Sequence, residues 1–314
     1  MKHLALPACL DMRRKSDGKE VAFGVGSDGS FHTVAALDEL DTRTVQSSGA
    51  SFFKPRPSTP QSYRILSWLG QRVPTEFVVP MEPYNITHVQ PLGADVLLVC
   101  ARCRRRSDSD IDENARVYAR DGRLKRSFVL GDGIQHVLVA DDQTIWVNYF
   151  DEGIFGNYGW NTPLGESGLV QWSTEGKRLY EFTPPDGLNF MADCYALNID
   201  SSGSAWCCYY TDFPVVRIHA GEVRGWEPVV EGSSCFAADY PYVLFFGEYD
   251  NRQELILAEL LENGKSRRVE SFIPTDEDGV PLRVERATAR GNAVHLVAEG
   301  TVRTVTVSAC LGAG

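Results

Sequence analysis

Several features that would assign a function directly are absent from this chain of 314 residues. No stretch approaches the roughly 20 apolar residues that a membrane-spanning helix needs. Lysine and arginine number 31 against 42 aspartates and glutamates, and the formal net charge of -11 repels nucleic-acid phosphates and anionic membrane surfaces. We therefore expect no nucleic acid and no membrane among the partners of this protein.

Familiar catalytic and metal-binding signatures are also absent. The segment GESG at 165–168 lacks the G-x-S-x-G pattern of a nucleophile elbow, and no glycine-rich phosphate loop occurs. Cys100 and Cys103 form a CxxC pair, but no second pair stands at zinc-finger spacing. We interpret the eight cysteines as buried free thiols of a reducing compartment. The apolar run at 4–10 is short and contains Pro7, so we expect no signal peptide and a cytoplasmic location.

A repeat of strand pairs dominates the rest of the chain. Three segments align without a gap, and each consists of an apolar strand, a polar turn and a second apolar strand. They are NITHVQPLGADVLLVCA at 85–101, GIQHVLVADDQTIWVNY at 133–149 and DCYALNIDSSGSAWCCY at 193–209. A hairpin with a glycine turn follows each of them, as at Gly122 and Gly176. The spacing of these turns is typical of propeller blades.

Assigning four strands to each repeat predicts an all-β protein, a β-propeller of six four-stranded blades in a single domain over 1–314. The predicted blades span 19–80, 84–131, 132–185, 192–227, 232–274 and 282–307. The last blade supplies only three strands, so the N-terminal segment 3–8 is expected to join it and close the propeller without exposed sheet edges. Five or seven blades are the alternatives.

The strand pairs also carry a resemblance to known proteins. VADDQTIWVNYFDEG and NIDSSGSAWCCYY resemble the strand-turn-strand units of NHL-type and gluconolactonase-like six-bladed propellers. The resemblance covers most of the chain through its repeat pattern and implies the propeller superfamily. The Gly-His and Trp-Asp dipeptides of WD repeats are missing, so that subclass is not expected.

Long insertions all fall between the second and third strands of a blade, at 38–61, 103–114 and 150–167. Connections at this position emerge on one face of a propeller, and long loops on a rigid scaffold commonly carry function. We therefore expect this face to bind a protein partner or a small molecule. The candidate ligand-binding residues are Asp151, Glu152, Phe155, Asn157, Tyr158, Trp160, Tyr210, Asp212, Glu248 and Asp250.

Two interpretations of these residues stay open. The carboxylates could bind a cation beside the aromatic rings, or they could simply cap strand ends as turn residues. The loop 150–167 could present its apolar side chains as a contact surface, or it could bury them in a compact Ω-type loop. The loop 103–114, which pairs arginines with a D-x-D-x-D run, lacks the glycine of a calcium loop and is interpreted as a solvated loop.

The resemblance implies a second function, because the gluconolactonase and regucalcin group are metal-dependent lactone hydrolases. A divalent metal ion is then the candidate cofactor, with Asp132 and Asp193 as metal ligands and His136 as the catalytic base. Asp193 is followed by Cys-Tyr instead of the Gly-Met of that group. His136 also aligns with His88 in the repeat, so a packing histidine in each blade is the alternative. Whether the protein is an enzyme is left open.

Overall fold

The computed structural model describes residues 2–12, 18–45, 49, 51–70 and 73–313. The fold is all-β, a β-propeller with six four-stranded blades, as predicted. The chain divides into two compact units, Ser16–Phe182 and Met1–Lys15 with Thr183–Gly314, and each contains three blades. The single domain over 1–314 stays a prediction. Positions 46–48 and 50 of the predicted loop 38–61 lie outside the described residues.

The first two strands join blades that the chain completes only near its end. β1 (Lys2–Ala5) runs parallel to the fourth strand of blade 5, and β2 (Ala8–Asp11) pairs antiparallel with the third strand of blade 6. The fourth strand of blade 6 was predicted at 3–8, whereas the structure has it at β2. Pro7 has no N–H to donate and separates the two strands, so the residues before it form a fifth strand of blade 5.

The unit Ser16–Phe182 contains blades 1 to 3, and each has an insertion between its second and third strands. Blade 1 consists of β3 (Lys19–Val25), β4 (Phe31–Ala36), the inserted β5 (Arg43–Val45) and β6 (Ser51–Phe53), β7 (Gln61–Trp68) and β8 (Thr75–Glu82). Blade 2 consists of β9 (His88–Leu92), β10 (Asp95–Val99), the inserted β11 (Arg105–Ser107) and β12 (Asp110–Ile111), β13 (Ala115–Tyr118) and β14 (Leu124–Phe128). Blade 3 consists of β15 (Ile134–Val139), β16 (Ile145–Tyr149), the inserted helix α1 (Asp151–Phe155), β17 (Leu169–Trp172) and β18 (Arg178–Glu181).

The other unit contains blades 4 to 6. Blade 4 consists of β19 (Asp193–Ile199), β20 (Ala205–Tyr210), β21 (Val215–His219) and β22 (Glu222–Trp226). Blade 5 consists of β23 (Phe236–Asp239), β24 (Tyr242–Phe246), β25 (Leu255–Leu260) and β26 (Ser266–Thr275). Blade 6 consists of β27 (Arg286–Arg290), β28 (Ala293–Ala298), β29 (Thr301–Thr306) and β2, and helix α2 (Val307–Gly312) follows it. Neither helix is long and apolar enough to cross a lipid bilayer, a finding that covers the described residues.

The apolar strands are buried because neighbouring blades pack face to face. Tyr63 of blade 1 and Leu98 of blade 2 belong to one buried cluster, and Trp206 of blade 4 and Phe245 of blade 5 belong to another. Burying a large apolar side chain contributes about 1.5–3 kcal/mol, so these interfaces hold each unit together. Because these blades are buried on both faces, the sequences of their strands are nearly continuous apolar runs.

Turn glycines bring successive blades close together. Gly122, in the β13–β14 turn, has a φ of 84°, and a Cβ atom there would lie 2.1 Å from the carbonyl oxygen of Val78 in β8. A larger residue would therefore strain the turn and push it away from the preceding blade.

All eight cysteines are free thiols, and seven of them are buried. Cys9 differs from the prediction, because it lies exposed in β2 at the edge of blade 6.

Candidate functional site

The three long loops of the unit Ser16–Phe182 enclose a cleft. Its volume is about 430 Å³. It is lined by Thr44, Phe52, Phe53, Lys54, Pro55, Arg56, Arg104, Arg106, Asn157 and Tyr158. These residues come from 38–61, 103–114 and 150–167, so the loops that the sequence placed on one face do meet around one cavity.

The hairpin β5–β6 forms the wall that blade 1 contributes. Its base is fixed by Asn85, whose side-chain amide donates to the carbonyl oxygens of Asp41 and Lys54, each at 2.9 Å. The Lys54 ammonium donates to both carboxylate oxygens of Asp41, at 2.7 and 2.6 Å. These bonds, with further donors from Ser58, lower the pKa of Asp41 to about 2. Lys54 therefore lines the cleft with its charge already paired to the carboxylate of Asp41.

The third loop folds into a compact segment that contacts the second loop as well as its own blade. Ile154 of α1 and Trp160 are buried, and the Trp160 indole donates to the carbonyl oxygen of Cys103 at 2.7 Å. A Cβ atom on Gly153 would lie 2.5 Å from the carbonyl oxygen of Asp132, so only glycine permits α1 to sit this close. Of the two interpretations of this loop, the structure favours the Ω-type loop for these two side chains. Phe155 is the exception and is 63% exposed.

Tyr158 is the residue at which all three loops meet. Its hydroxyl donates to the carbonyl oxygen of Phe53 at 2.5 Å, and its own carbonyl oxygen accepts from the N–H of Arg105 at 2.9 Å. Its backbone has a φ of 47°, a conformation that non-glycine residues adopt at a cost. The contacts on both sides of Tyr158 hold this conformation in place.

Beneath Tyr158 lies a buried ion-pair network centred on Arg102. The guanidinium group donates from Nε and Nη2 to the two oxygens of Asp132, at 2.9 and 2.8 Å, and its Nη1 lies 2.5 Å from Glu152. Its Cζ lies 4.2 Å from the centre of the Tyr158 ring, a cation–π distance. Burial alone would lower the pKa of Arg102, but the hydrogen bonds and charges of Asp132 and Glu152 raise it. Arg102 therefore remains a cation that anchors the third loop.

Asp112 organises the basic side of the cleft. Its carboxylate is fully buried, with 0% exposure, and Oδ1 accepts from Arg56 Nε at 2.9 Å and from Arg106 Nη1 at 3.1 Å. Oδ2 accepts from the backbone N–H of Arg104 at 3.0 Å. One buried carboxylate thus positions two guanidinium groups and the backbone of a third arginine.

Of the predicted ligand-binding residues in 150–167, only two line the cleft. Asn157 and Tyr158 do, whereas Asp151 is exposed at the start of α1 and accepts from the N–H of Glu152. Glu152 itself pairs with Arg102, and Phe155 and Trp160 lie outside the lining. The predicted carboxylates therefore do not form the walls of this cleft.

The other predicted residues belong to blades 4 and 5 in the other unit. The carboxylate of Asp212 accepts from the side-chain amide of Asn189, and that of Glu248 lies 2.7 Å from Arg268. Tyr210 and Asp250 are exposed. An aromatic cluster lies beside these residues, and its members are Tyr195, Tyr210, Phe213 and Tyr249.

The proposed metal ligands do not offer a fitting donor set. Both oxygens of Asp132 already accept from Arg102, and Oδ1 also accepts from the N–H of Cys103 at 2.7 Å. Asp193 begins β19 in the other unit. Across the described ranges, no group of three or more histidine, cysteine, aspartate or glutamate side chains could hold a metal ion.

His136 lies in the blade 3 hairpin, as its repeat position required. Its Nδ1 lies 3.2 Å from the Oδ1 of Asn148, and burial, followed by the charge of His88, lowers its pKa to about 4. The ring is therefore neutral at pH 7. Its surroundings favour the packing histidine over the catalytic base, which stays a prediction.

The basic lining was missed by the sequence reasoning. The three arginines at 104–106 were interpreted as countering neighbouring acids, and Arg105 and Arg106 do pair with Asp108 and Asp110. Arg56 comes from another blade, and no local pattern indicates that it reaches Asp112. The only available signal was that 103–114 and 38–61 share one predicted face.

Comparisons with known proteins establish the fold alone. No protein-family model matches the chain, and no curated protein matches it. Among solved structures, a virginiamycin B lyase from Staphylococcus aureus is 13% identical, with 95% of this chain and 97% of that chain covered and a TM-score of 0.50. A chain of the mitotic checkpoint complex is 7% identical, with 97% and 94% covered and a TM-score of 0.51. One similar structure is an enzyme and the other belongs to a protein assembly, so the likeness supports the β-propeller fold and no particular activity.

Proposed function

We propose that this β-propeller is a binding protein whose loops 38–61, 103–114 and 150–167 enclose a small ligand. The observation that carries the proposal is the cleft of about 430 Å³ lined by side chains from all three loops. Small-molecule sites in proteins typically have volumes of about 300–1,000 Å³ and are largely formed before the ligand binds.

The side chains around the cleft support a preformed site. Tyr158 is fixed by its hydrogen bond to Phe53 and by Arg102 beneath its ring. Arg56 and Arg106 are fixed by the buried Asp112. A ligand that enters such a site does not have to order these side chains, which removes a cost of roughly 0.5–1.5 kcal/mol for each of them.

A thermal-shift screen of small metabolites tests the proposal. A ligand present at 100 times its Kd adds about 2.7 kcal/mol to the stability of the folded protein. We expect compounds that stabilise the wild type to lose their effect in Thr44→Trp, because an indole at this lining position fills the cleft. Leu179→Trp is the matched control, since Leu179 is exposed on β18 of the same unit and away from the lining.

Two outcomes would overturn the proposal. One is a screen in which no compound stabilises the wild type. The other is a set of compounds that stabilise Thr44→Trp as well as they stabilise the wild type, because such compounds would bind elsewhere.

A protein partner at the same loops is the second candidate function. It is favoured by exposed apolar side chains in two of the loops, since Val45 is 69%, Phe52 42% and Phe155 63% exposed. Such groups often mark contact surfaces. Chemical cross-linking in a lysate of the source cells, followed by mass spectrometry, should give cross-links between a reproducible protein and these loops. Phe155→Asp should abolish them, and unchanged cross-links would argue against this candidate.

The metal-dependent hydrolase gains no support from the donor set around Asp132. The cytoplasmic location also remains a prediction from the sequence.

A further inference from the structure

The lining of the cleft has a pronounced charge bias. Of the ten lining side chains in the part of the chain that the structure describes, none is acidic, and the cationic ones are Lys54, Arg56, Arg104 and Arg106. The chain as a whole has a net charge of -11, so this concentration of positive charge does not follow from composition. A concave site with one sign of charge focuses the electric field and attracts ligands of the opposite sign.

The carboxylates nearby do not neutralise this bias completely. Lys54 is matched by Asp41, at 2.6 Å, but Arg56 and Arg106 share Asp112. Arg106 also reaches Asp110 at 3.2 Å, although that aspartate side chain is 58% exposed. Ion pairs at such exposed positions contribute little and are screened by salt.

Arg104 has the guanidinium group that is open to a ligand. It is exposed, it lines the cleft, and no carboxylate pairs with its side chain within the ranges that the structure describes. Its Cζ lies 5.3 Å from the centre of the Tyr158 ring, so the aromatic ring holds it beside the cavity. An arginine placed in this way presents a planar fork of N–H donors.

We propose that the ligand of this cleft carries an oxyanion, a carboxylate or a phosphate, that binds Arg104 between Arg56 and Arg106. A flat apolar part of the same ligand packs against Tyr158 and Phe52. The inference rests on the proposed function and specifies the chemistry of that site. Guanidinium groups bind both oxyanions through paired, charge-assisted hydrogen bonds, and the aromatic rings provide the apolar surface.

Three matched probes test the inference by isothermal titration: benzoate, phenyl phosphate and the neutral benzyl alcohol. We expect at least one anion to bind the wild type about tenfold or more tightly than the alcohol, since hydrogen bonds to charged groups are the strong ones. Arg104→Gln should weaken the anion about tenfold and leave the alcohol unchanged. Arg123→Gln is the control, because Arg123 is an exposed arginine in a turn of the same unit. The tighter of the two anions identifies carboxylate or phosphate as the natural group.

Three results would overturn the inference: equal binding of the alcohol, an unchanged Kd in Arg104→Gln, or no anion with a Kd below about 1 mM. Unfolding midpoints of Arg104→Gln and Arg123→Gln will show that both variants are folded. The proposed function has its own test, the loss of compound binding in Thr44→Trp, so its failure can be distinguished from the failure of the oxyanion inference. Neutral compounds that are sensitive to Thr44→Trp would support the binding function while rejecting the oxyanion.

Discussion

The hydroxyl of Tyr158 donates a hydrogen bond of 2.5 Å to the main-chain carbonyl of Phe53, a residue 105 positions earlier in the chain. This bond joins the third long loop to the first. Tyr158 adopts a φ of 47°, which costs roughly 1–3 kcal/mol for a residue other than glycine. The contact of the ring with Arg102 and the hydrogen bond of the hydroxyl to Phe53 offset this conformational energy.

Tyr158→Phe should therefore destabilise the protein by about 0.5–1.5 kcal/mol, the net contribution of one hydrogen bond. The ring is kept, so the contact with Arg102 survives. Urea unfolding gives the change in free energy. Tyr210→Phe is the control, because the exposed Tyr210 hydroxyl has no hydrogen-bond partner within the described part of the chain. An equal loss in both variants would contradict the role assigned to this bond.

Gly159→Ala should destabilise the protein more than Gly187→Ala. Both glycines have nearly the same backbone conformation, with φ values of 90° and 91°. A Cβ atom at 159 would lie 2.0 Å from the carbonyl oxygen of Arg105, whereas one at 187 would meet nothing within 4 Å. The difference between the two free energies of unfolding therefore isolates the contact between loops, and we expect at least about 1 kcal/mol. Equal values would mean that the loops separate freely.

Arg102→Leu should cost about 3–5 kcal/mol, because it leaves the buried carboxylate of Asp132 without its partner. Adding Asp132→Asn should restore part of this stability, since the neutral amide removes the uncompensated charge. Arg123→Leu, at an exposed ion pair with Asp121, should change stability little. Chemical denaturation measures all four proteins, and a double variant that is no more stable than Arg102→Leu would refute the pairing.

Acid should destabilise the protein through three histidines that have lowered pKa values. Burial lowers the pKa of His32, His136 and His295 to about 4, below their ordinary value of 6.5. Between these two pH values the unfolded chain binds protons that the folded protein does not, so stability falls as the pH falls. Each histidine contributes a slope of up to about 1.4 kcal/mol per pH unit.

Free energies of unfolding measured between pH 6.5 and 5 will check this dependence. His136→Gln should reduce the slope by the contribution of one proton, whatever it does to stability at pH 7. A slope that is identical in the wild type and His136→Gln would show that this histidine does not titrate as argued.

The sequence predicted the blades because their signals are local. Apolar strands joined by glycine turns repeat along the chain, as in the three aligned segments at 85–101, 133–149 and 193–209. The prediction assigned 3–8 to blade 6, whereas most of this segment pairs with blade 5. The error arose because the strands that pair with the N-terminal residues lie near the other end of the chain. Pro7 indicates that a strand is interrupted, but it does not indicate which sheet each side joins.

The candidate site was predictable only in outline. Loop lengths identified which segments meet, and they included Asn157 and Tyr158. The carboxylates of Asp151, Asp212, Glu248 and Asp250 were predicted either to bind a cation or to act as turn residues, and none of them lines this cleft. The pairing of Glu152 with Arg102 and of Arg56 with Asp112 links residues from different blades, and such pairings depend on three-dimensional contacts that no local pattern records.

Where the third loop meets the other two, it contacts their main-chain carbonyl oxygens. Tyr158, Gly159 and Trp160 contact the carbonyl oxygens of Phe53, Arg105 and Cys103. Substituting the side chain of any of these last three residues leaves its carbonyl oxygen in place. The side chains that face the cavity can therefore change while the contacts between the loops are kept. Related chains could therefore acquire new selectivity by exchanging a few lining residues, and the same freedom makes this cleft suitable for engineering.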